Sequence, residues 1–384
     1  SKRAQLANAS KALAAPFTFG VCDTAGPIEV EGSILGTTPT AYATLGAGFA
    51  AINAGTHTGA ITIDVCGDTA EGATTATLNA SGSGAASYTS IMMSPAGGAA
   101  RTISGATTAG SPMIDFSGAD NVTINGLNTG GNSLTIANTT VSATSGTSTI
   151  RFIGGATNNT ITNSNLQGSV SSSVATNGAI VFFSTDAVTA SGNDNNTISN
   201  NNIGPAGANL PTKGILCNGS TTTTAIGNSG LIIDNNNIFD YFGAAVTSAG
   251  VAVNGGCNSF SITNNRFYQT GTRTWTTGTL NSAINMNSAT ATSGVQGMTI
   301  AGNIIGFASN TQTGTYTLTG ATTGTFRGIS FSGITGGTVS NINSNTVASV
   351  SLTGVTSSGT SSGAPMMGIF VSNGVANANG NTIG

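Results

Sequence analysis

The sequence predicts an all-β protein built as a parallel β-helix, a solenoid in which each coil of the chain stacks on the one before it. Three observations predict this fold. A six-residue motif recurs seven times, short apolar segments lie between its copies, and only 5% of the residues are charged. The copies are spaced by about 36 residues, a period typical of stacked repeat proteins.

Each copy of the motif contains an apolar residue, two small polar residues, Asn, any residue and a second apolar residue. The copies begin at Ile161, Ile198, Ile233, Ile262, Ile300, Ile342 and Ala378. The first copy has Ser at the fourth position, and the other six have Asn201, Asn236, Asn265, Asn303, Asn345 and Asn381. Because Asn tolerates the left-handed backbone conformation, the motif predicts a corner between two strands. We expect these six side chains to stack from coil to coil as a structural amide ladder.

A second apolar segment follows each motif, for example at residues 179–183, 214–217 and 367–371, and predicts another strand. Loops of variable length, rich in Gly, Ser, Thr and Asn, separate these segments. A β-sandwich would show hairpin signals every 8–12 residues or so, and the sequence has no such rhythm. The pattern therefore favours a parallel β-helix.

Residues 40–55 form the one good helix candidate. Four apolar residues fall on one face of this segment: Tyr42, Leu45, Phe49 and Ile52. Thr40 is placed to cap the N-terminus, and Gly55 is placed to end the helix. Because an open end of a β-stack exposes unpaired backbone groups, we expect this helix to cap the solenoid. The predicted organisation is an extension over residues 1–20, a cap with the first strands over 21–110, and β-helix repeats over 111–384.

The composition excludes several classes of protein. The chain of 384 residues is 38% hydrophobic with a net charge of −3, whereas disordered chains combine low hydrophobicity with high net charge. Nine basic residues are too few for a nucleic-acid surface. No apolar run approaches the length of about 18 residues that a membrane span needs. We expect no cofactor.

Five segments carry a family resemblance: the helix at 42–55 and residues 87–91, 101–105, 114–126 and 148–153. They resemble the large secreted pectin-lyase-like β-helix proteins of Bacteroidota-type bacteria, over roughly residues 37–384. The resemblance implies a right-handed coil, a bacterial cell-surface or extracellular location and an adhesin-like role, often with type IX export. The sorting domain common at the C-terminus of that group is not present in this sequence.

The four cysteines allow three disulfide connectivities. Neighbouring coils favour Cys22–Cys66 and Cys217–Cys257, and four buried thiols are the alternative. The sequence has no Cys-x-x-Cys and a single histidine, His57, so a zinc site is not expected.

Acidic residues of the repeats are candidate catalytic residues, because glycoside hydrolysis needs two nearby carboxylates. The candidates are Asp115, Asp120, Asp186, Asp194, Asp234 and Asp240, with Arg151, Lys213, Arg266, Arg273 and Arg327 as basic partners. Stacked coils bring Asp194 and Asp234 together in this hypothesis. A turn-capping role for each Asp is the favoured interpretation.

Two further candidate sites are an acidic group near the N-terminus and a single tryptophan. Asp23, Asp64, Asp68 and Glu71 form the densest acidic group, for which a solvated loop face is the favoured interpretation and a calcium site is the alternative. Trp275 lies in a loop-like stretch and is a candidate for an exposed glycan contact.

The sequence therefore predicts a non-catalytic extracellular protein with a structural or adhesive role at the cell surface. A subunit of a filament or sheath is one such role. The final repeat, ending at Ile383, predicts head-to-tail self-association or a longer protein. The alternative is a carbohydrate-binding or carbohydrate-active β-helix protein. Partners are then a second copy of the chain or a glycan or cell-surface ligand, with no nucleic acid and no membrane span.

Overall fold

The computed structural model describes residues 20–185, 191–221, 223–288, 294–320, 322–356, 359 and 361–384. The chain winds as a parallel β-helix, and successive coils build three long sheets, which we name sheet 1, sheet 2 and sheet 3. Strands of successive coils pair in parallel, each bonded to its equivalent one coil away, whereas the first strands near the N-terminus pair antiparallel. The predicted fold class is confirmed, while its right-handedness stays a prediction.

Sheet 1 has 12 strands: β1 (Ile28–Gly32), β2 (Thr40–Tyr42), β3 (Gly59–Val65), β6 (Tyr88–Pro95), β9 (Val122–Asn125), β12 (Thr160–Thr162), β15 (Thr197–Ser199), β19 (Ile232–Asp234), β23 (Ser261–Thr263), β27 (Thr299–Ala301), β31 (Ser340–Asn343) and β35 (Ala376–Asn379). Sheet 2 has ten: β4 (Thr69–Ala70), β7 (Ala100–Gly105), β10 (Ser133–Ser142), β13 (Ser164–Val170), β16 (Asn202–Pro205), β20 (Asn237–Phe239), β24 (Arg266–Tyr268), β28 (Ile304–Gly306), β32 (Thr346–Ala348) and β36 (Thr382–Ile383).

Sheet 3 has nine strands: β5 (Ala76–Asn79), β8 (Pro112–Ser117), β11 (Ser148–Ile153), β14 (Val181–Phe183), β17 (Lys213–Cys217), β21 (Ser248–Val253), β26 (Leu280–Asn287), β30 (Thr325–Ser332) and β34 (Met366–Asn373). Loops form two side sheets, one from β18 (Asn228–Ser229) and β22 (Cys257–Asn258), the other from β25 (Arg273–Thr274), β29 (Tyr316–Thr319) and β33 (Val350–Thr353). Two short 3-10 helices span Thr224–Ile226 and Ser361–Gly363.

The corner between sheets 1 and 2 is made by the third residue of the motif, one position before the Asn at which the sequence predicts the left-handed turn. This residue has a left-handed backbone, with φ of 57° at Asn200, 53° at Asn235 and 57° at Asn264. Gly302 and Gly380 take the same place in later coils, with φ of 67° and 63°. Asn, Ser and Gly are used here because other residues clash in this conformation.

The first residue of the motif points into the core. From Ile161 to Ile342 these isoleucines stack in register along sheet 1, and each is 0% exposed. A fully buried side chain of this size stabilises the fold by about 1.5–3 kcal/mol. In the last coil, Ile383 is 53% exposed because it is covered on one side only.

The N-terminal helix, α1, is shorter than the sequence predicts. It spans Leu45–Asn53, and Thr44, not Thr40, is its N-cap, accepting a hydrogen bond from the Ala47 N–H at 3.1 Å. Thr40 instead pairs with Val30 in the antiparallel β1–β2 ladder. The helix packs mainly on β5, the first strand of sheet 3, while β1 and β2 continue sheet 1 beyond β3.

Both predicted disulfides are present. Cys22–Cys66 joins Cα atoms 5.6 Å apart, and Cys217–Cys257 joins Cα atoms 6.4 Å apart. The first pair is half-buried near the N-terminus, and the second is fully buried between two coils. Within the described ranges, no helix is long and apolar enough to cross a membrane.

Candidate functional site

The six predicted asparagines lie in one row, coil above coil. The Asn265 side chain shows the pattern: its Nδ2 donates to Asn303 Oδ1 at 3.0 Å and to the Ile233 carbonyl at 2.9 Å. Its Oδ1 accepts from the Asn236 backbone N–H at 2.9 Å and from Asn236 Nδ2 at 3.0 Å. The same bonds join Asn201 to Asn236 and Asn345 to Asn381. Each inner amide is therefore fully paired within the fold and has no group left for a ligand.

The described acidic residues of the repeats tie one coil to the next. Asp120 accepts from the Thr157 N–H at 2.6 Å, and Asp194 accepts from the Ser229 N–H at 2.6 Å. Asp234 accepts from Thr263 Oγ1 at 2.6 Å. These bonds agree with the turn and capping roles favoured for Asp.

The two remaining described carboxylates of the repeats are paired with arginines. Arg151 donates to both oxygens of Asp115, at 2.9 and 2.7 Å, and Arg273 donates to Asp240. The hypothesis that joins Asp194 and Asp234 is wrong, because Asp234 ends β19 whereas Asp194 lies before the opposite end of the neighbouring β15. Asp186 lies outside the described residues.

The four residues considered as a calcium site do not form one cluster. Glu71 bonds the N–H groups of Leu45 and Gly46 at 2.8 and 2.9 Å and so caps α1. Asp68 accepts from the Thr102 N–H at 2.8 Å. Among the described residues, no group of three or more His, Cys, Asp or Glu side chains is placed to hold a metal ion. The arrangement therefore gives no support to the alternative of one calcium site built from these residues.

Asp64 belongs to a different acidic group from the one predicted. It lies directly opposite Glu29 in the β1–β3 ladder, is 7% exposed, and has one carboxyl oxygen without a hydrogen bond. Burial, followed by repulsion from Glu29, Glu31 and Asp23, raises the pKa of Asp64 from 3.8 to about 6. This carboxyl therefore stays protonated to a higher pH than an exposed Asp.

Trp275 is not an exposed contact residue. The indole is 2% exposed, and its ring lies 6.3 Å from the Phe242 ring. Its backbone N–H donates to the Thr319 carbonyl at 2.8 Å beside the small β25–β29–β33 sheet. The ring fits under Gly324, where a Cβ would come within 2.6 Å of it. The prediction failed because the loop pairs with later loops and buries its own tryptophan.

A groove of about 410 Å³ runs along the outer face of sheet 3. Its volume lies within the range of about 300–1,000 Å³ seen for ligand sites. Three consecutive strands, β26, β30 and β34, form its floor, and residues 173–175 with Thr247 form a wall. The lining residues are Ser173, Val174, Ala175, Thr247, Leu280, Asn285, Met286, Asn287, Ser330, Ser332, Phe370 and Ser372.

The groove is polar but uncharged. Its lining holds hydroxyl and amide side chains, several aliphatic residues and one aromatic ring, that of Phe370. The Arg327 guanidinium lies 5.5 Å from the centre of that ring. Arg327 itself is 4% exposed and bonds the Ser362 carbonyl at 3.0 Å, so it supports the ring from beneath.

Asn285 is the unusual residue of the groove. It is 6% exposed, yet its side-chain amide makes no hydrogen bond to any part of the chain that the structure describes. Strand register aligns Asn285 with one residue of each neighbouring coil on the outer face of sheet 3, and we call these aligned residues the outward column. The earlier coils have Phe182, Leu216 and Ala252 at this position, and the next coil has Ser330. The amide atoms are not enclosed, since they reach the solvent-accessible surface of the groove, and they are therefore free to bond a ligand there.

The wall of the groove is built on the apolar part of the same face. Val174 packs over the outward side chains of Phe182, Leu216 and Ala252, which are almost fully buried as a result. The Val174 N–H donates to the Thr247 carbonyl at 3.2 Å, and Asn254 Nδ2 donates to the Val174 carbonyl at 3.1 Å. The wall therefore packs on the apolar outward residues of the earlier coils. The outward residues become polar from Asn285 onward, and the groove begins there.

A second cavity of about 410 Å³ lies beside α1. Its two strongest polar groups already have partners: Glu71 caps the helix, and Asn53 bonds the Thr77 carbonyl at 2.8 Å and the Asn79 N–H at 2.9 Å. The groove on sheet 3 is the better candidate because its amides are not used by the fold.

Sequence reasoning missed the groove entirely. An Asn between Ile284 and Met286 in an apolar strand is a visible signal, but its meaning depends on the register that aligns it with Leu216 and Ala252. Sequence reasoning also missed a second, shorter amide row, in which the Asn159 N–H donates to Asn196 Oδ1 at 2.9 Å.

Comparisons with known proteins complete the description of the site. No protein-family model matches the chain, and no curated protein matches it. Solved structures that are similar to this chain include two of the Streptococcus pneumoniae surface protein and adhesin PfbA. The first is 12% identical with a TM-score of 0.43, over 88% of this chain and 92% of that chain. The second is 12% identical with a TM-score of 0.41, over 88% of each chain. Likeness at this level carries no argument about function.

Proposed function

We propose that this chain is a non-catalytic adhesive protein of the bacterial cell surface that binds an uncharged stretch of glycan in the groove on sheet 3. A sugar offers hydroxyl groups that both donate and accept hydrogen bonds, together with apolar C–H faces. The groove offers the complementary set, with amides, hydroxyls and the Phe370 ring. None of its lining side chains carries a charge, which favours a neutral ligand.

The observation that carries the proposal is the unpaired amide of Asn285. The fold does not use this amide, which can therefore both donate to and accept from a polar ligand in the groove. The described carboxylates of the repeats are engaged between coils, which supports binding without catalysis.

Two disulfides support a location outside the cytoplasm, because oxidising compartments allow them to form and persist. Type IX export and head-to-tail self-association stay predictions within this proposal.

The test is binding of neutral oligosaccharides, screened on an array and then measured by calorimetry. We expect Asn285→Leu to lower the affinity for the best neutral ligand by about tenfold or more, because the loss of one good hydrogen bond corresponds to about 1.4 kcal/mol. The matched control is Asn202→Leu, which removes an exposed amide from sheet 2.

Equal affinity in the wild type and Asn285→Leu would place the ligand elsewhere. Binding restricted to acidic oligosaccharides would contradict a neutral ligand. No binding to any member of the array would remove the support for a glycan function.

A further inference from the structure

We propose that Lys213 is a positioning residue of the groove: it holds the wall segment, residues 172–176, against sheet 3 and makes glycan affinity fall as the pH rises above neutrality. The inference rests on the proposed function, because it concerns the same groove. Lys213 does not line the groove and acts only through the wall.

The geometry around Lys213 is that of an anchor. Lys213 begins β17 and is 0% exposed. Its Nζ donates to Ser172 Oγ at 2.8 Å, to the Ser173 carbonyl at 2.7 Å and to the Thr176 carbonyl at 2.8 Å. One cation therefore bonds both ends of a five-residue segment.

The segment that Lys213 holds is the wall itself. Ser173, Val174 and Ala175 line the groove between the anchored residues. The Thr212 hydroxyl, next to Lys213 in the chain, also donates to the Ser172 carbonyl. Loss of the Lys213 contacts would free the Thr176 end and leave the segment held by Thr212 at Ser172 and by the bonds of Val174 to Thr247 and Asn254.

The charge on Lys213 has no acidic partner among the described residues, and the groups that face it do not titrate near neutral pH. They are the hydroxyl and carbonyl groups of residues 172–176 and, on the paired strand β21, Ala249. The other described charges of sheet 3 are the Asp115–Arg151 pair on β8 and β11 and Arg327 on β30. Burial alone lowers the pKa of Lys213 to about 7.

Deprotonation weakens the anchor without removing it. A neutral amine has two N–H donors in place of three, and the Ser172 hydroxyl can then turn its hydrogen toward the nitrogen. The bonds to the two carbonyls survive but lose the strength that a charged donor gives them. We therefore expect a looser wall and weaker binding above pH 7.

A pH dependence of this kind is specific to Lys213. No lining residue of the groove titrates between pH 6 and 9, since all are Ser, Thr, Asn, Val, Ala, Leu, Met or Phe. A neutral oligosaccharide does not titrate either. Arg327 stays protonated throughout this range, as arginines do.

The experiment compares the wild type with Lys213→Met, which keeps the aliphatic stem and removes the donors. Arg151→Met is the control, since it removes another cation from the same sheet outside the groove lining. Affinity for the best neutral oligosaccharide is measured at pH 6 and pH 9. Hydrogen exchange of residues 172–176 is measured without ligand, at one pH.

We expect wild-type affinity to fall by several-fold, to about tenfold, between pH 6 and pH 9. Lys213→Met should bind weakly at both pH values and exchange faster at residues 172–176, while Arg151→Met keeps the wild-type pH profile. Wild-type affinity that is equal at both pH values would overturn the inference and leave the proposed function standing. Unchanged exchange in Lys213→Met would overturn it even if no glycan binds.

Discussion

Asn265 and Asn285 both have little exposed surface, but Asn265 lies at the corner between β23 and β24, whereas Asn285 lies on strand β26. The Asn265 amide makes four hydrogen bonds within the fold, whereas the Asn285 amide makes none in the described chain. An amide can propagate a ladder because it donates and accepts at once. The two asparagines therefore differ in use: the repeat consumes the Asn265 amide, and it leaves the Asn285 amide free to bond other molecules.

The largest loss of stability is expected when the Cys217–Cys257 disulfide is removed. This change tests whether the asparagine ladder alone keeps the coils folded. We expect the double variant Cys217→Ala/Cys257→Ala to lower the free energy of unfolding by about 4 kcal/mol, because the disulfide closes a loop of 40 residues. Urea denaturation monitored by Trp275 fluorescence measures it, since this is the only tryptophan in the chain. A loss below about 1 kcal/mol would show that the ladder suffices.

Breaking the ladder is the next largest effect. We expect Asn265→Leu to destabilise the protein by about 1–3 kcal/mol, because it leaves buried groups on Asn236, Asn303 and Ile233 without partners. The same urea titration measures this change. An unchanged midpoint in this variant would mean that the amides are not coupled.

Asp64 gives a third kind of buried polar group, a carboxyl with one unpaired oxygen. Because burial raises its pKa in the folded state from 3.8 to about 6, the folded protein binds the proton more tightly than the unfolded chain. The stability from protonated Asp64 is complete below about pH 4 and is lost as the pH rises through about 6, at a cost of about 1–2 kcal/mol. Stability curves at pH 4 and pH 7 measure it.

Asp64→Asn is the control for that loss, since it cannot titrate. We expect this variant to lack the part of the pH dependence that lies between pH 4 and 6. If the wild type and the variant show the same profile, the loss belongs to other carboxyls.

The smallest stability effect is expected at the unpaired amide. Asn285→Leu removes no hydrogen bond from the fold, so its free energy of unfolding should stay within about 0.5 kcal/mol of the wild type or rise slightly. Urea denaturation side by side with Asn265→Leu checks this contrast. A loss as large as that of Asn265→Leu would mean that the Asn285 amide is paired in solution.

Much of the fold could be predicted from the sequence because equivalent residues recur in each coil, so that one coil predicts the structure of the next. The motif located the corners, the six asparagines and the inward isoleucines, and neighbouring coils indicated the cysteine pairs. The helix boundary was wrong by one turn because the pairing of Thr40 with Val30, a tertiary contact, decides where the helix begins.

The candidate site could not be predicted, because it depends on register and on loops. Trp275 is in a polar, loop-like stretch, and only the pairing of that loop with residues 316–319 shows that it is buried. Asn285 becomes distinctive only beside Ala252 and Ser330, and Lys213 only beneath residues 172–176. Local sequence patterns contain none of these neighbours.

The central claim is that the unpaired Asn285 amide bonds a neutral sugar. The most direct measurement is a crystal structure with the best neutral oligosaccharide from the array. We expect a sugar hydroxyl within hydrogen-bond distance of the Asn285 amide and a sugar face against Phe370. A sugar bound elsewhere, with the Asn285 amide still unpaired, would contradict it.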